Sequence, residues 1–235
     1  MRPVFLIARN FVREQRWPLF FLLLWVLGFS VFGIFVNSES GAEDAFVIFK
    51  QLTFYGIVFA VFWGSSALNA DLRSRRIMAV LSKAVSRGQY LAGLLAGTAV
   101  VLGKFCLCMG LSGSWILGGY GVDQVQLWLG ILALFTACIL TSALALCLSV
   151  FLPPLFAAIG SGLVSGLPLL FGQHGSELKF AIPVYALLEP LLEADFKVAF
   201  HARAAAIVIG WIETAALLFL ATWIFSSRGL IAGTD

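Results

Sequence analysis

Hydrophobic and polar positions alternate along this chain on a scale of tens of residues, with long apolar runs separated by short polar segments. Six apolar runs are present, at about residues 18–36, 46–69, 90–118, 125–151, 154–172 and 203–226. A helix of about 20 residues crosses the roughly 30 Å hydrocarbon core of a bilayer, so runs of this length predict transmembrane helices. Pro153 and Pro154 interrupt the chain between the fourth and fifth runs and predict a tight helical hairpin. The pattern predicts an all-α, polytopic membrane protein with six transmembrane helices.

Three short polar segments lie outside these runs, at residues 1–16, 70–89 and 173–202. The arginines of the first fall in one sector of a helical wheel opposite Val4, Ile7, Ala8 and Phe11, which predicts an amphipathic interfacial helix. The third mixes apolar and acidic residues around two prolines and predicts one or two short interfacial helices at the outer mouth. No polar segment exceeds about 30 residues, so we expect residues 1–235 to form a single transmembrane domain.

Basic residues are distributed unequally between the two faces that six crossings would create. If the N-terminus is cytoplasmic, the cytoplasmic face carries Arg2, Arg9, Arg13, Arg16, Arg73, Arg75, Arg76, Lys83, Arg87 and Arg228. The other face then carries only Lys50, Lys179, Lys197 and Arg203. Cytoplasmic loops carry an excess of lysine and arginine, so this asymmetry predicts that both termini are cytoplasmic.

Composition agrees with this pattern and narrows the chemistry. Hydrophobic residues make up 61% of the chain and charged residues 11%, whereas a soluble domain carries roughly 25% charged residues. The net charge of +3 is too small to indicate nucleic acid as a partner. The four cysteines lie inside apolar runs and are interpreted as small buried hydrophobic residues rather than zinc or disulfide partners: Cys106, Cys108, Cys138 and Cys147. His174 and His201 lie in the third polar segment, without a cluster of metal ligands.

The segment 70–89 has the periodicity of a short amphipathic helix. Ile77, Val80, Leu81 and Ala84 recur at the spacing of one helical face, and polar residues occupy the other. One interpretation is a connector whose arginines set the topology and contact anionic membrane lipid. The other is a docking helix whose apolar face fits a groove on a cytoplasmic partner.

This segment resembles the signature of ABC-2 type transporter permeases. In that family the second span ends in an acidic residue, followed by a basic patch, a leucine pair and a "PvSR..Y" element that opens the third span. The corresponding residues are Asp71, then Arg73, Arg75 and Arg76, then Val80 and Leu81, then Val85, Ser86, Arg87 and Tyr90. Ala84 stands where the family usually has proline. The six spans, the N-terminal amphipathic elbow and the outer segment also match, so the resemblance covers essentially the whole chain.

The resemblance implies that segment 70–89 is a coupling helix, which sits in a cleft of a separate ATP-hydrolysing subunit. The contact residues would be Asp71, Arg73, Arg75, Arg76, Ile77, Val80, Leu81 and Arg87. The chain lacks the G-x-x-x-x-G-K-[ST] phosphate loop, so we expect no enzymatic activity and no cofactor of its own. ATP and Mg would bind two soluble ABC ATPase subunits, and a second permease copy or paralogue would complete an exporter in a prokaryotic plasma membrane.

Two ionisable residues lie deep in the predicted spans, Lys104 in the third and Glu213 in the sixth. A lone charge at the bilayer centre costs at least about 2.5–3.5 kcal/mol, so such residues usually pair or face a cavity. We hypothesise an interhelical ion pair between them, within one subunit or across a dimer; the alternative is that either residue lines a substrate path.

Gly93 and Gly97, at GxxxG spacing, predict close helix packing.

Two other classes of function are weighed against a permease subunit. A membrane-embedded enzyme needs catalytic groups clustered at one depth, and the predicted spans contain no Asp or His. A stand-alone carrier or channel often shows internal repeats and broken helices. No convincing repeat is present, although three glycines and Pro168 make the fifth span breakable.

Overall fold

The computed structural model describes residues 2–36, 42–73, 85–119, 121–171, 184–192 and 200–227. Every regular element within these residues is an α-helix, which confirms the predicted all-α class. The helices are α1 (Arg2–Glu14), α2 (Arg16–Val36), α3 (Ala42–Arg73), α4 (Arg87–Gly118), α5 (Gln124–Ser149), α6 (Pro154–Phe171), α7 (Val184–Leu192) and α8 (Phe200–Ser227).

Four of these helices are long and apolar enough to cross a membrane. Their candidate spans are Phe46–Asp71 in α3, Arg87–Gly118 in α4, Gln124–Ser149 in α5 and Ala204–Ser227 in α8. Helices α2 and α6 have shorter apolar stretches among the residues with described side chains, Arg16–Val31 and Pro154–Gly166. The chain is therefore a helical protein of the transmembrane type.

Helix α5 is the centre of the bundle, with α3, α4, α6, α7 and α8 packed around it. Buried residues make up 78% of an apolar 18-residue stretch of α5 but only 22% of the corresponding stretch of α8. The exposed face of α8 carries large apolar side chains, such as Ile212, Phe219 and Trp223. In lipid this exposure carries no hydrophobic penalty, because the surrounding acyl chains are also apolar.

Small residues allow α3 to approach α5 closely. A Cβ atom added to Gly64 would lie 2.5 Å from the carbonyl oxygen of Ser142 and 2.9 Å from the Cβ of Ala145. Backbone atoms cannot move away as a flexible side chain can, so only glycine fits at this position. Such close contacts drive helix association in membranes, where dispersion and hydrogen bonds replace the hydrophobic effect.

The connection between α5 and α6 is the predicted tight hairpin. Val150 follows the last residue of α5, and its N–H bonds to the carbonyl of Cys147. Pro154 is the first residue of α6, where a missing N–H costs no helical hydrogen bond. The two helices pack against each other.

Helix α1 packs its predicted apolar face on the start of α4. Ala8 and Phe11 are buried, whereas Arg9 and Arg13 are exposed, which confirms the amphipathic pattern. Cβ atoms added to Gly93 and Gly97 would lie 2.8 Å from the Cβ of Ile7 and 2.9 Å from the Cβ of Phe11. The predicted close packing of the GxxxG pair is therefore against the N-terminal helix.

Helix α7 lies in the third polar segment, and it packs within the bundle. Val184, Leu187, Leu188 and Leu191 form one helical face and are buried. The Cδ1 of Leu187 lies 3.3 Å from a Cβ built on Gly210, which is about 15 Å along α8 from Phe200. A short interfacial helix was predicted at the outer mouth. Helix α7 instead contacts α8 as far along as Gly210, because its apolar face packs against α5 and α8.

We expect Gly64→Ala to lower the free energy of unfolding by about 1–3 kcal/mol, because the new methyl group overlaps the backbone of α5. Gly28→Ala is the matched control, since a Cβ there meets nothing within 4 Å. The thermal unfolding midpoint in detergent measures both variants. Equal midpoints for Gly64→Ala and Gly28→Ala would contradict the close approach of α3 and α5.

Candidate functional site at the basic end of the bundle

The basic end is the end of the bundle where α3 finishes, α4 begins and α8 finishes. Arg75, Arg76, Ile77, Val80 and Leu81, predicted as coupling residues, lie outside the described residues. Arg73 is the last residue of α3, and nothing is described of its side chain. The two flanks of segment 70–89 are described, and they contain Asp71 and Arg87.

Asp71 joins the end of α3 to the start of α4. The hydroxyl of Tyr90 donates a hydrogen bond to Oδ2 of the Asp71 carboxylate. The Tyr90 side chain is 1% exposed, and a buried tyrosine hydroxyl needs such a partner. Hydrogen bonds to charged groups contribute about 1.5–3 kcal/mol, so this contact holds the two ends of the segment together.

Ser86 determines where α4 begins. Its hydroxyl accepts a hydrogen bond from the Gln89 N–H at 3.2 Å, and the Gln89 Oε1 accepts one from the Ser86 N–H at 3.2 Å. This reciprocal capping box satisfies two N–H groups that have no partner inside the helix. It places Arg87 and Tyr90 in the first turn of α4. Ser-x-x-Gln is a readable signal for this cap, but the sequence interpretation did not use it.

Arg87 connects the start of α4 to the end of α8. Its Nη1 donates to the carbonyl oxygens of Phe225 at 2.6 Å and Ser226 at 3.1 Å. The guanidinium carbon also lies 5.5 Å from the centre of the Phe225 ring. The last carbonyls of a helix lack intrahelical partners and carry partial negative charge, so an arginine is stabilising there.

Helices α3, α4 and α8 therefore meet at the flanks of the segment through specific polar contacts. A further contact joins the N-terminal part to α3, where the indole Nε1 of Trp63 donates to the Oε1 of Gln15 at 3.1 Å. A displacement of the segment would be transmitted to these helices through their shared contacts. Contact of Asp71 and Arg87 with an ATPase stays a prediction.

The two intramembrane charges lie in different surroundings. Lys104 is exposed on α4, on the same helical stripe as Val100, Leu107 and Leu111. Glu213 is partly buried and lines a cavity of about 340 Å³ between α5, α6, α7 and α8. Within the described residues they form no ion pair inside one subunit, because Lys104 is turned outward. Pairing across a dimer stays a prediction.

The remaining chemistry-bearing residues form no recognisable centre in the described part of the chain. Cys106, Cys138 and Cys147 are buried as predicted, whereas Cys108 is only half-buried, and all four cysteines are free. The described residues contain no group of three or more His, Cys, Asp or Glu that could hold a metal ion. His174 lies outside the described residues, and nothing is described of the His201 side chain.

No family model matches this chain, and no curated protein matches it either. The resemblance to ABC-2 permeases therefore rests on the motif residues and the arrangement of apolar runs.

We expect Arg87→Gln to loosen the last turn of α8, because the carbonyls of Phe225 and Ser226 lose a charged donor. Amide hydrogen exchange at residues 222–227 should become about three- to tenfold faster, since cations at helix ends contribute a few tenths to 2 kcal/mol. Arg16→Gln is the control, because Arg16 lies over the ring of the exposed Trp17. Unchanged exchange in Arg87→Gln would contradict the capping role.

Proposed function

We propose that this chain is the permease subunit of an ABC-2 type exporter in a prokaryotic plasma membrane. Six crossings would be made by α2, α3, α4, α5, α6 and α8, with α1 as the elbow helix at the cytoplasmic interface. The four long apolar helices support this arrangement, and α2 and α6 supply two further apolar helices. Arg9, Arg13, Arg16 and Arg87 would then lie on the cytoplasmic side, in agreement with the positive-inside rule.

The contact of Arg87 with the end of α8 carries this proposal. A coupling segment is useful only if its movement reaches the helices that form the pathway. Arg87 lies near the C-terminal end of segment 70–89 and donates hydrogen bonds to two carbonyls of α8, 138 and 139 residues further along the chain. The Tyr90–Asp71 hydrogen bond ties the other flank, at the end of α3, to α4. These two contacts would carry a displacement of the segment to α3, α4 and α8.

The mechanism would divide the work between subunits. A soluble ATPase subunit would bind ATP and Mg and would carry out hydrolysis, and its closure would displace segment 70–89. The displacement would tilt α3, α4 and α8 relative to the central helix α5. Two such ATPase subunits and a second permease copy or paralogue would form the complete exporter.

A stand-alone carrier is the second candidate, and the cavity beside Glu213 favours it. Carriers bind their substrates near the bilayer midplane, in cavities that contain ionisable side chains. This candidate needs no ATPase partner, so the two proposals make opposite predictions about ATP.

To test the exporter proposal, we would purify the chain from its native membranes in mild detergent and measure vanadate-sensitive ATP hydrolysis in the complex. We expect activity with wild-type protein. In the double variant Arg75→Glu, Arg76→Glu this activity should fall about tenfold or more. A docking surface that complements two arginines would repel two glutamates.

The matched control is Lys179→Glu, Lys197→Glu, which reverses two charges on the predicted outer face. It should keep wild-type activity. Equal activity in both double variants, or a stable wild-type complex without ATP hydrolysis, would contradict the exporter proposal.

A further inference from the structure

The N-terminal helix α1 runs beside the first half of α4 and leaves a groove along one side of the contact. A Cβ built on Gly93 lies 2.8 Å from the Cβ of Ile7, and one built on Gly97 lies 2.9 Å from the Cβ of Phe11, so the helices follow each other for at least one turn. The groove, called here the α1–α4 groove, has a volume of about 530 Å³. Apart from Arg9 its walls are apolar, and they include Val4, Ala8, Val12, Ala96 and Val100.

Three exposed arginines form a row beside this groove. Arg9, Arg13 and Arg16 follow one another at spacings of four and three residues, which places them on one face of a helix. The helical hydrogen bonds continue past the end of α1, where the Gln15 N–H donates to the Phe11 carbonyl at 3.0 Å. Arg9 belongs both to this row and to the wall of the groove.

Acidic residues are placed elsewhere on these helices. Helices α2 and α4 contain no Asp or Glu, and α1 contains only Glu14. Glu14 follows Arg9 by five residues, which is about 140° around the helix, and it accepts a hydrogen bond from the Nδ2 of Asn10 at 2.9 Å. The groove side of α1 therefore carries positive charge, and an anionic occupant would complement it.

The neighbours of the arginine row identify the kind of occupant. Phe5 and Leu6 are 65% and 59% exposed, and at helical spacing they flank Arg9 on its two sides. A helix that combines arginines with large exposed apolar side chains lies at the boundary between lipid headgroups and acyl chains. The occupant of the groove therefore comes from the lipid leaflet rather than from the cytosol.

The length of the groove fits one acyl chain. From Val4 to Val12 it extends over eight residues of α1, about 12 Å along the helix. One acyl chain spans half of the hydrocarbon core, about 15 Å. On α4 the wall continues to Val100, which is 47% exposed. A phospholipid with its phosphate beside Arg9 would place most of one chain in the groove.

We propose that the α1–α4 groove binds one anionic phospholipid. The guanidinium of Arg9 donates paired hydrogen bonds to the lipid phosphate, and Arg13 adds to the positive potential around the headgroup. One acyl chain lies along the apolar walls. The site needs neither ATP nor a partner subunit, so its failure would leave the exporter proposal standing.

Native mass spectrometry of the full chain in mild detergent would count bound lipids during a titration. The probes are dioleoyl phosphatidylglycerol and dioleoyl phosphatidylcholine, which share their acyl chains and phosphate, whereas only the second carries a cationic choline. The first phosphatidylglycerol should bind at least about fivefold more tightly, because a single charge at a basic lipid-facing surface has about this effect. Equal affinity of the two lipids would overturn the proposal.

Two pairs of variants then locate the site. Arg9→Gln should weaken phosphatidylglycerol binding about fivefold, whereas Lys50→Gln, which removes the same charge from α3, should leave it unchanged. Ala96→Phe should weaken binding about threefold or more, because the added ring fills part of the groove. Its control is Ala215→Phe, since Ala215 is exposed on α8.

The first pair is decisive by itself, because Arg9 is exposed and its replacement leaves the fold intact. If Arg9→Gln binds phosphatidylglycerol as tightly as Lys50→Gln does, the proposal is wrong, even where Ala96→Phe fails to fold. Equal binding by a folded Ala96→Phe and by Ala215→Phe would also contradict it.

Discussion

Lipid removes the hydrophobic drive for helix association, so this bundle depends on close packing between helix backbones. A Cβ added to Gly64 of α3 would lie 2.5 Å from the Ser142 carbonyl oxygen of α5, the shortest such distance to a backbone atom among the described glycines. The same principle places α1 on α4 at Gly93 and Gly97. Around this packing a few polar contacts determine how helix ends are connected, and those at the basic end join α3, α4 and α8.

Local patterns were sufficient to predict much of the fold. Run length identified the apolar helices, and the arginine sector of residues 1–16 identified the face of α1. Contacts between residues distant in sequence could not be predicted. No local pattern indicates that Arg87 caps α8 at the Phe225 carbonyl. The proposed pair of Lys104 with Glu213 shows the same limit. The positions of the two residues in their spans predicted that they lie at similar depth. The spans do not predict which face of α4 carries Lys104, and that face is exposed.

Helix α8 relates the two candidate sites to each other. Phe225 at its end accepts the hydrogen bond from Arg87, and Glu213 lines the cavity at its midpoint. These residues are separated by about 18 Å along the helix axis. A helix behaves as a rigid rod over this distance, so a displacement at the basic end would move Glu213 relative to α5 and α6.

A distance measurement at the basic end tests this coupling most directly. Spin labels at Phe151→Cys, in the α5–α6 turn, and Ser227→Cys, at the end of α8, would be introduced after replacement of the four native cysteines. Pulsed electron paramagnetic resonance on the complex purified with its ATPase would compare the nucleotide-free state with the ATP–vanadate state. We predict a shift of several ångströms in the distance between the labels. Identical distance distributions in the two states would contradict the proposal that ATP drives α8.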